Sequence, residues 1–291
     1  MDQIIIKISK EYQGYTIKEF LKCFNIGKGR IEEIRVNKSF VLNNELSSLE
    51  KELKRDDVLT FYINEKIDFK PYFHHLEVLY EDEYLLIVNK PSNILIHPDQ
   101  EDNHHTLVNI VASYYYENKI YRNVRPIHRI DFETSGIVIF AKDFLTQGKL
   151  DELIAKHQIK RYYHALCANR FTTLNGTIDK NIGRDRHENN KYRVGNSLNS
   201  KKAITHYQVI KQYKKYALVE LLLETGRTHQ IRVHLSSLNH PLLGDVLYGG
   251  NKELIDRVAL HSYRVKFLHP ITNQFIDLIC PLPSDMKGLV K

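Results

Sequence analysis

Residues 137 to 141 read Ile-Val-Ile-Phe-Ala, an apolar run with no polar residue to mark an outer face. A short run of this kind, bounded by polar residues, is a buried strand, so any fold this chain adopts has to cover it. The run is entered through Arg125-Pro-Ile-His-Arg-Ile-Asp-Phe-Glu-Thr-Ser-Gly136, a polar stretch that places Arg129 and Asp131 in a turn ahead of Thr134-Ser135-Gly136. A carboxylate set just before a buried strand is held by a rigid scaffold, as catalysis requires. Asp131 is flanked by His128 and Arg129, and a neighbouring cation favours the ionised form of a carboxylate. The same residue types also do plainer work, since Asp and Thr close turns and cap amides. Taken locally, residues 125 to 141 fit both roles.

A chain of 291 residues has room for one large domain with a small accessory one, or for two of medium size. Its 42 Lys and Arg outnumber 35 Asp and Glu, a net +7 that suits a polyanionic partner and equally an ordinary basic enzyme. Cys23, Cys167 and Cys280 are far apart and form no CxxC pair, which argues against a disulfide framework and a structural zinc site. The 15 histidines include no HExxH and no zinc-type spacing, so no metal is expected. No segment approaches a membrane span, and the N-terminal residues do not resemble a signal peptide. The expected location is the cytoplasm.

Residues 1 to 66 read as a unit of their own. Ile4–Ile8 is an opening strand. From Thr16, Ile17, Phe20, Leu21 and Phe24 fall on one face of a short helix. Lys28-Gly29-Arg30 is a basic turn into a second helix, and Val36-Asn37, a strand Ser39–Leu42, a turn at Asn43-Asn44 and a strand Val58–Ile63 follow. The order of Lys18-Glu19-Phe20-Leu21, Lys28-Gly29-Arg30, Val36-Asn37 and Asp57-Val58-Leu59 resembles an S4-like RNA-binding domain. That resemblance places RNA contacts on Lys28, Arg30 and Arg35. Cations at a helix start can meet phosphates beside free backbone amides, although a solvated basic face accounts for the same pattern.

Residues 67 to 75 read as a linker, and residues 76 to 291 as the second domain. Strands are expected at 76–80, 85–88, 137–141, 160–168, 176–182, 203–210, 216–224, 259–267 and 275–280, with helices from Leu107, over Phe144–His157 and from Thr228. Many short strands out of strict alternation with a few helices indicate an α+β fold on a mixed or antiparallel sheet. In Thr225-Gly-Arg-Thr-His-Gln-Ile-Arg-Val-His234, two arginines stand where cations oppose a helix dipole. That points to an anionic partner, either a phosphate or Asp131, or else to an internal salt-bridge cluster. Lys160-Arg161-Tyr162-Tyr163-His164 interleaves tyrosines with cations, which can stack on bases and hold phosphates, though Tyr is also ordinary in a sheet. Arg184 to Val194, with Lys201-Lys202, reads as a basic, mobile hairpin or loop.

These motifs recur together in one order: Leu85–Pro91, His128–Gly136, Arg161–Leu166, Ile182–Asp185, Lys202–Tyr207, Thr225–His234, His240–Asp245 and Leu260-His261 with His269-Pro270. The chain thereby resembles the RluA-type RNA pseudouridine synthases over residues 76 to 283, and an N-terminal S4-like domain is usual in that branch. The resemblance implies an α+β pseudouridine synthase domain acting on structured RNA, ribosomal or transfer, without cofactor or metal, most simply as a monomer. It implies Asp131 as the catalytic aspartate and Tyr163 as the residue stacked on the target base. Arg227 and Arg232 are implied as arginines near that aspartate, without saying which pairs with it, and Arg129 and Arg161 as groups facing the RNA. Two departures stand out: Ser92-Asn93 where the family carries glycine after Lys-Pro-x, and His164 where a small apolar residue is usual. Asn tolerates positive φ, so the turn at 92–93 is expected to survive. Two further readings use the same residues, a non-catalytic RNA-binding or ribosome-assembly factor and a hydrolase that releases uracil.

Overall fold

The computed structural model describes residues 2–291 apart from His187, Asn189 and Ser197. A small antiparallel sheet comes first, ordered β1-β4-β2-β3 from β1 (Asp2–Lys7), β2 (Phe40–Leu42), β3 (Glu45–Leu46) and β4 (Val58–Ile63). Helices α1 (Ile17–Cys23) and α2 (Lys28–Val36) cover it. A capping box starts α1: Glu19 N–H donates to Thr16 Oγ1, and Thr16 N–H donates to the Glu19 carboxylate. Ile17, Phe20, Leu21 and Phe24 are all buried, as the periodicity predicts. Asn43 and Asn44 both have positive φ, 52° and 66°, which suits the tight turn joining β2 to β3.

The second sheet has ten strands and carries the rest of the chain. Its order is β10-β13-β14-β9-β15-β8-β6-β5, with β16 beside β15 and β7 beside β8. The ranges are β5 Glu77–Glu81, β6 Leu85–Lys90, β7 Arg125–Pro126, β8 Ser135–Ala141, β9 Lys160–Ala168, β10 Asn175–Asp179, β13 Ile204–Gln212, β14 Tyr216–Leu223, β15 Leu260–Leu268 and β16 Phe275–Ile279. Among the described residues only β8 and β15 pair in parallel, so the sheet is mixed and the fold α+β. A separate hairpin joins β11 (Ile182–Arg184) to β12 (Tyr192–Val194), with α3 (Leu107–Glu117), α4 (Phe144–Ala155), α5 (Gln230–Ser236) and α6 (Ser284–Lys287) around the sheets. His187 and Asn189 of the basic hairpin read from the sequence lie outside the described residues.

Every residue of β8 is buried, and its two faces enter different cores. Val138 and Phe140 join Leu107, Val111 and Tyr115 of α3, whereas Ile137, Ile139 and Ala141 join Leu150 of α4 and Phe267 of β15. Period-two alternation between two apolar cores is the reason the strand shows no alternation in its sequence. The strand read over 176–182 instead ends at Asp179. There Lys180 leaves the ladder, its N–H going to Ala203 O and its carbonyl accepting from His234.

Residues 64 to 76 contain no strand but are tied down along α3. Tyr72 N–H donates to Asn109 O, Asn109 Nδ2 to Lys70 O and Ser113 Oγ to Tyr72 O, at 2.9 to 3.0 Å. These bonds satisfy two polar side chains buried on an otherwise apolar helix. The two domains also share a seam. Leu145 of α4 belongs to the N-terminal core, and a Cβ on Gly148 would lie 2.1 Å from Phe24 O. Among the described residues no helix is long and apolar enough to cross a membrane.

Candidate active site

The turn before β8 is held from several sides. Thr134 N–H closes it on Asp131 O at 3.1 Å. Beneath it lies Lys90, with no exposed surface, whose Nζ donates to Pro91 O, Ile94 O and Phe132 O at 2.9, 2.8 and 3.0 Å. Burial pushes this amine down to about 7, with the Asp131 carboxylate pulling the other way. Three carbonyls around one nitrogen match the three donors of an ammonium and favour the charged form. Asn93 N–H reaches the same Phe132 carbonyl, and Asn93 has φ 62°, so the turn written without glycine does form. On the far side Arg257 Nη1 donates to Glu133 O at 3.1 Å while Asp285 of α6 grips its guanidinium with both oxygens.

Gly136 fixes where the strand begins. Its φ is 108°, and a Cβ there would stand 2.3 Å from Ser262 O, so the backbones of β8 and β15 touch at a place no side chain could occupy. Ser135 Oγ and His261 Nδ1, 2.9 Å apart, complete the join. His128 ends the polar stretch inside the protein: its Nε2 accepts from Ile139 N–H at 3.3 Å. Burial, helped by Arg161, pushes this imidazole down to about 3 and keeps it neutral. It positions the strand, and a neutral ring already used as an acceptor is no general base.

Asp131 faces a cavity of about 560 Å³ that Arg129, Arg161, Tyr163, Arg227 and Arg232 also line. Arg232 Nη1 lies 3.6 Å from Asp131 Oδ2. The rest of its guanidinium is taken by Asp245, Nε to Oδ2 at 2.7 Å and Nη2 to Oδ1 at 2.8 Å, and its plane sits over the Tyr248 ring at 5.0 Å. Asp245 is 1% exposed, so this fork is dry and rigid. Arg227 differs: it is exposed, and its Nε donates to Lys202 O at 3.0 Å. Of the two arginines proposed from sequence, Arg232 is the one within ion-pair reach of Asp131. Tyr163 on β9 is 4% exposed, and burial pushes its hydroxyl up, Arg161 opposing.

The helix expected from Thr228 begins at Gln230. Gln230 Oε1 accepts from Arg227 N–H and Thr225 Oγ1, its Nε2 donates to Ile204 O, and His229 adopts φ 56°. Residues 225 to 229 are thus a turn organised by one glutamine, which takes Arg227 out of the helix and leaves Arg232 in its first turn. The anion that Arg232 answers is first of all Asp245, a residue whose role the sequence did not disclose. Lys28, Arg30 and Arg35 lie away from the cavity, on α2. Lys28 and Arg35 are exposed, the latter paired with Glu32, whereas Arg30 is half-buried between Glu33 and Glu65, 4.9 Å above the Phe144 ring. Arg30 therefore belongs to the seam between the domains as much as to any basic face.

A family model described as "RNA pseudouridylate synthase" matches residues 84–237, the span that holds Asp131, Tyr163, Arg227 and Arg232. The chain belongs to the RNA pseudouridine synthases. A second model, "RluD ribosomal pseudouridine synthase N-terminal domain", matches residues 4–59 and makes this synthase RluD-like within the RluA family. It is 42% identical over 264 residues to "Uncharacterized RNA pseudouridine synthase YhcT" of Bacillus subtilis (strain 168), covering 89% of this chain and 85% of that one. It is 31% identical over 308 residues to "Ribosomal large subunit pseudouridine synthase D" of Escherichia coli (strain K12), covering 99% and 94%. Among solved structures, "Human RNA Pseudouridylate Synthase Domain Containing 1" superposes with TM-score 0.60 at 26% identity over 72% of this chain and 84% of that one. The synthase is accordingly an isomerase that modifies RNA.

The other departure in this synthase, His164, lies on the sheet face opposite Tyr163. Its ring stacks on Tyr263 with centroids 3.8 Å apart, and burial pushes it down to about 4. It packs as a neutral aromatic and leaves the cavity unchanged. Lys90, Asp245 and Arg257 are the supporting groups that sequence reasoning passed over. Lys90 and Asp245 are each a lone charge beside an apolar or glycine-containing stretch, in Val88-Asn89-Lys90-Pro91 and in Leu243-Gly244-Asp245, whereas Arg257 follows Asp256 and carries no such signal.

Proposed function

We propose that this synthase isomerises uridines of bacterial large-subunit ribosomal RNA, with Asp131 acting at the ribose of a uridine drawn out of its stack. The observation that supports it most is Asp131 at the cavity wall, paired with an arginine that a buried second aspartate holds in place. A carboxylate so fixed is positioned for one reaction geometry, as nucleophile at C1′ or as base at C2′. Extruding a uridine costs a few kcal/mol, offset here by Tyr163 as a stacking surface and by Arg129 and Arg227 at the exposed rim for phosphates. The ribosomal substrate is suggested by the name of the Escherichia coli relative. Lys28 and Arg35, exposed on α2 away from the cavity, are further candidate RNA contacts on the N-terminal domain, whose limits we set at residues 1–66, with a linker at 67–75. The enzyme acts as a monomer in the cytoplasm on this reading.

The experiment is pseudouridine mapping on total RNA from cells lacking the gene, incubated with wild-type protein, Asp131→Asn or Tyr163→Ala. Wild-type protein is expected to restore sites in large-subunit ribosomal RNA, and correctly folded Asp131→Asn to restore none. Restoration by Asp131→Asn removes the catalytic assignment, and restored sites confined to transfer RNA remove the ribosomal one. Tyr163→Ala is expected to weaken RNA binding by about 1–3 kcal/mol through lost stacking; wild-type affinity argues against that contact.

A further inference from the structure

Arg161 is 7% exposed, and among the described residues its guanidinium has no ion pair and no hydrogen bond; its Nε is buried without a partner. The other deeply buried arginines are all matched by carboxylates: Arg122 by Asp2, Arg232 by Asp245, Arg257 by Asp285. An acidic residue does line this part of the cavity, but Glu224 is turned to His206, with Oε1 and Nε2 2.6 Å apart. A buried cation without a counter-charge works against stability, and such a group is suited to an acceptor that arrives with the ligand.

Its position narrows what that acceptor is. Arg161 and Tyr163 are alternate residues of β9, so they share a sheet face about 6.6 Å apart, and both line the cavity that contains Asp131. Next to the guanidinium is Gly226, where a Cβ would make only van der Waals contact, 3.4 Å from Nη1. A base stacked on Tyr163 would bring its edge, not its ribose or phosphates, to Arg161. The phosphate-facing cations, Arg129 and Arg227, are by contrast at the exposed rim. Uracil presents carbonyl oxygens O2 and O4 at its edges.

We infer that Arg161 donates hydrogen bonds to a uracil carbonyl oxygen and holds the negative charge of the base while it is detached from its ribose, an assignment that rests on the proposed uridine isomerisation. On either route the C1′–N1 bond breaks with its electron pair leaving on the base, spread over N1, O2 and O4. The base then forms the C5–C1′ bond, C5 loses its proton and N1 gains one, and any proton taken from C2′ returns there. Nothing is oxidised or reduced, and Arg161 keeps its own protons throughout. Donors aimed at charge that develops in the reaction favour the transition state over the ground state.

The test compares wild-type protein, Arg161→Met and Arg161→Lys on an RNA fragment that carries a mapped target uridine. Single-turnover rate at saturating enzyme, RNA affinity at several salt concentrations and melting temperature are measured for each. Arg161→Met is expected to lower the single-turnover rate about 10²–10³-fold, the usual cost of one such donor. Its affinity and salt dependence should stay near wild type, its melting temperature equal or higher, and Arg161→Lys should recover part of the rate. A wild-type rate in Arg161→Met overturns the inference. So does lost affinity with a shallower salt slope and intact chemistry, which marks a phosphate contact, or a lowered melting temperature, which marks a structural role. If wild-type protein forms no pseudouridine in any RNA, the isomerase reading itself is what fails.

Discussion

Arg232 is divided between two carboxylates of unequal standing. Asp245 takes two short bonds and is almost wholly buried, while Asp131 sits 3.6 Å from the remaining nitrogen and keeps 22% of its side chain exposed. Asp245 therefore fixes the guanidinium, and Asp131 receives a cation that is already oriented. Removing Asp245 leaves a buried charge short of its partner, a change that costs about 3–5 kcal/mol. Asp245→Ala is thus expected to be much less stable than wild type, and Arg232→Met with Asp245→Ala to recover part of the loss; chemical denaturation of wild type, the single variant and the double variant measures both. Sequence reasoning placed an arginine near Asp131 but could not choose between Arg227 and Arg232. The choice depends on a loop from 240 to 245 returning to α5, and on Gln230 drawing Arg227 out of the helix. Neither is encoded in local spacing. Lys90 was equally hidden, because a lysine closing an apolar strand looks like a strand end until the three carbonyls around it are seen.

The long strands and helices were legible because burial imposes a period on their sequence. Strand β8 was the clearest, and even its lack of alternation has a cause, two cores on two faces. Elements of two to four residues, β3, β7 and α6, had too little sequence to carry a pattern. The turn joining β5 to β6 contains a charge whose effect is open to measurement. Asp82 accepts from Tyr80 OH, Tyr84 N–H and Leu85 N–H at 2.7 to 2.8 Å, and His269 Nε2 lies 3.0 Å away. Burial on its own would raise this carboxyl, but His269, Tyr80 and the two amides outweigh it and hold it well below the usual carboxylate range. A depressed folded-state pKa adds stability that is whole above the unfolded value of about 3.9 and is lost as pH falls through the folded one. The melting temperature of wild-type protein should therefore fall between about pH 5 and pH 2 more steeply than that of Asp82→Asn. Parallel curves for the two proteins would show that this turn does not contribute to acid lability.

At the scale of the whole molecule, a small N-terminal domain ahead of a larger catalytic one was readable from the sequence, but the seam between the domains was not. Leu145 looked like one more core position of α4, yet it belongs to the N-terminal core, and Gly148 lets Phe24 O rest directly on the helix. Arg125 with Glu65 adds a buried ion pair across the same junction, and the buried Arg122 pairs with the exposed Asp2. Gly148→Leu must part these surfaces, since no atom fits 2.1 Å from a carbonyl oxygen. Limited proteolysis is expected to cut residues 64 to 76 of that variant faster than in wild type, and an unchanged rate would mean the seam is not what protects them. The meeting of β8 with β15 also has a temporal side. Ser135 and His261 are 126 positions apart, and Arg257 reaches Glu133 only with Asp285 behind it. A chain leaving the ribosome has Asp131, Tyr163 and Arg232 in hand long before the strand that shapes the turn exists, and contacts so distant in sequence form late. The enzyme consequently goes through the last stage of its synthesis with every catalytic candidate made and no working site, and becomes competent only as β15, β16 and α6 arrive.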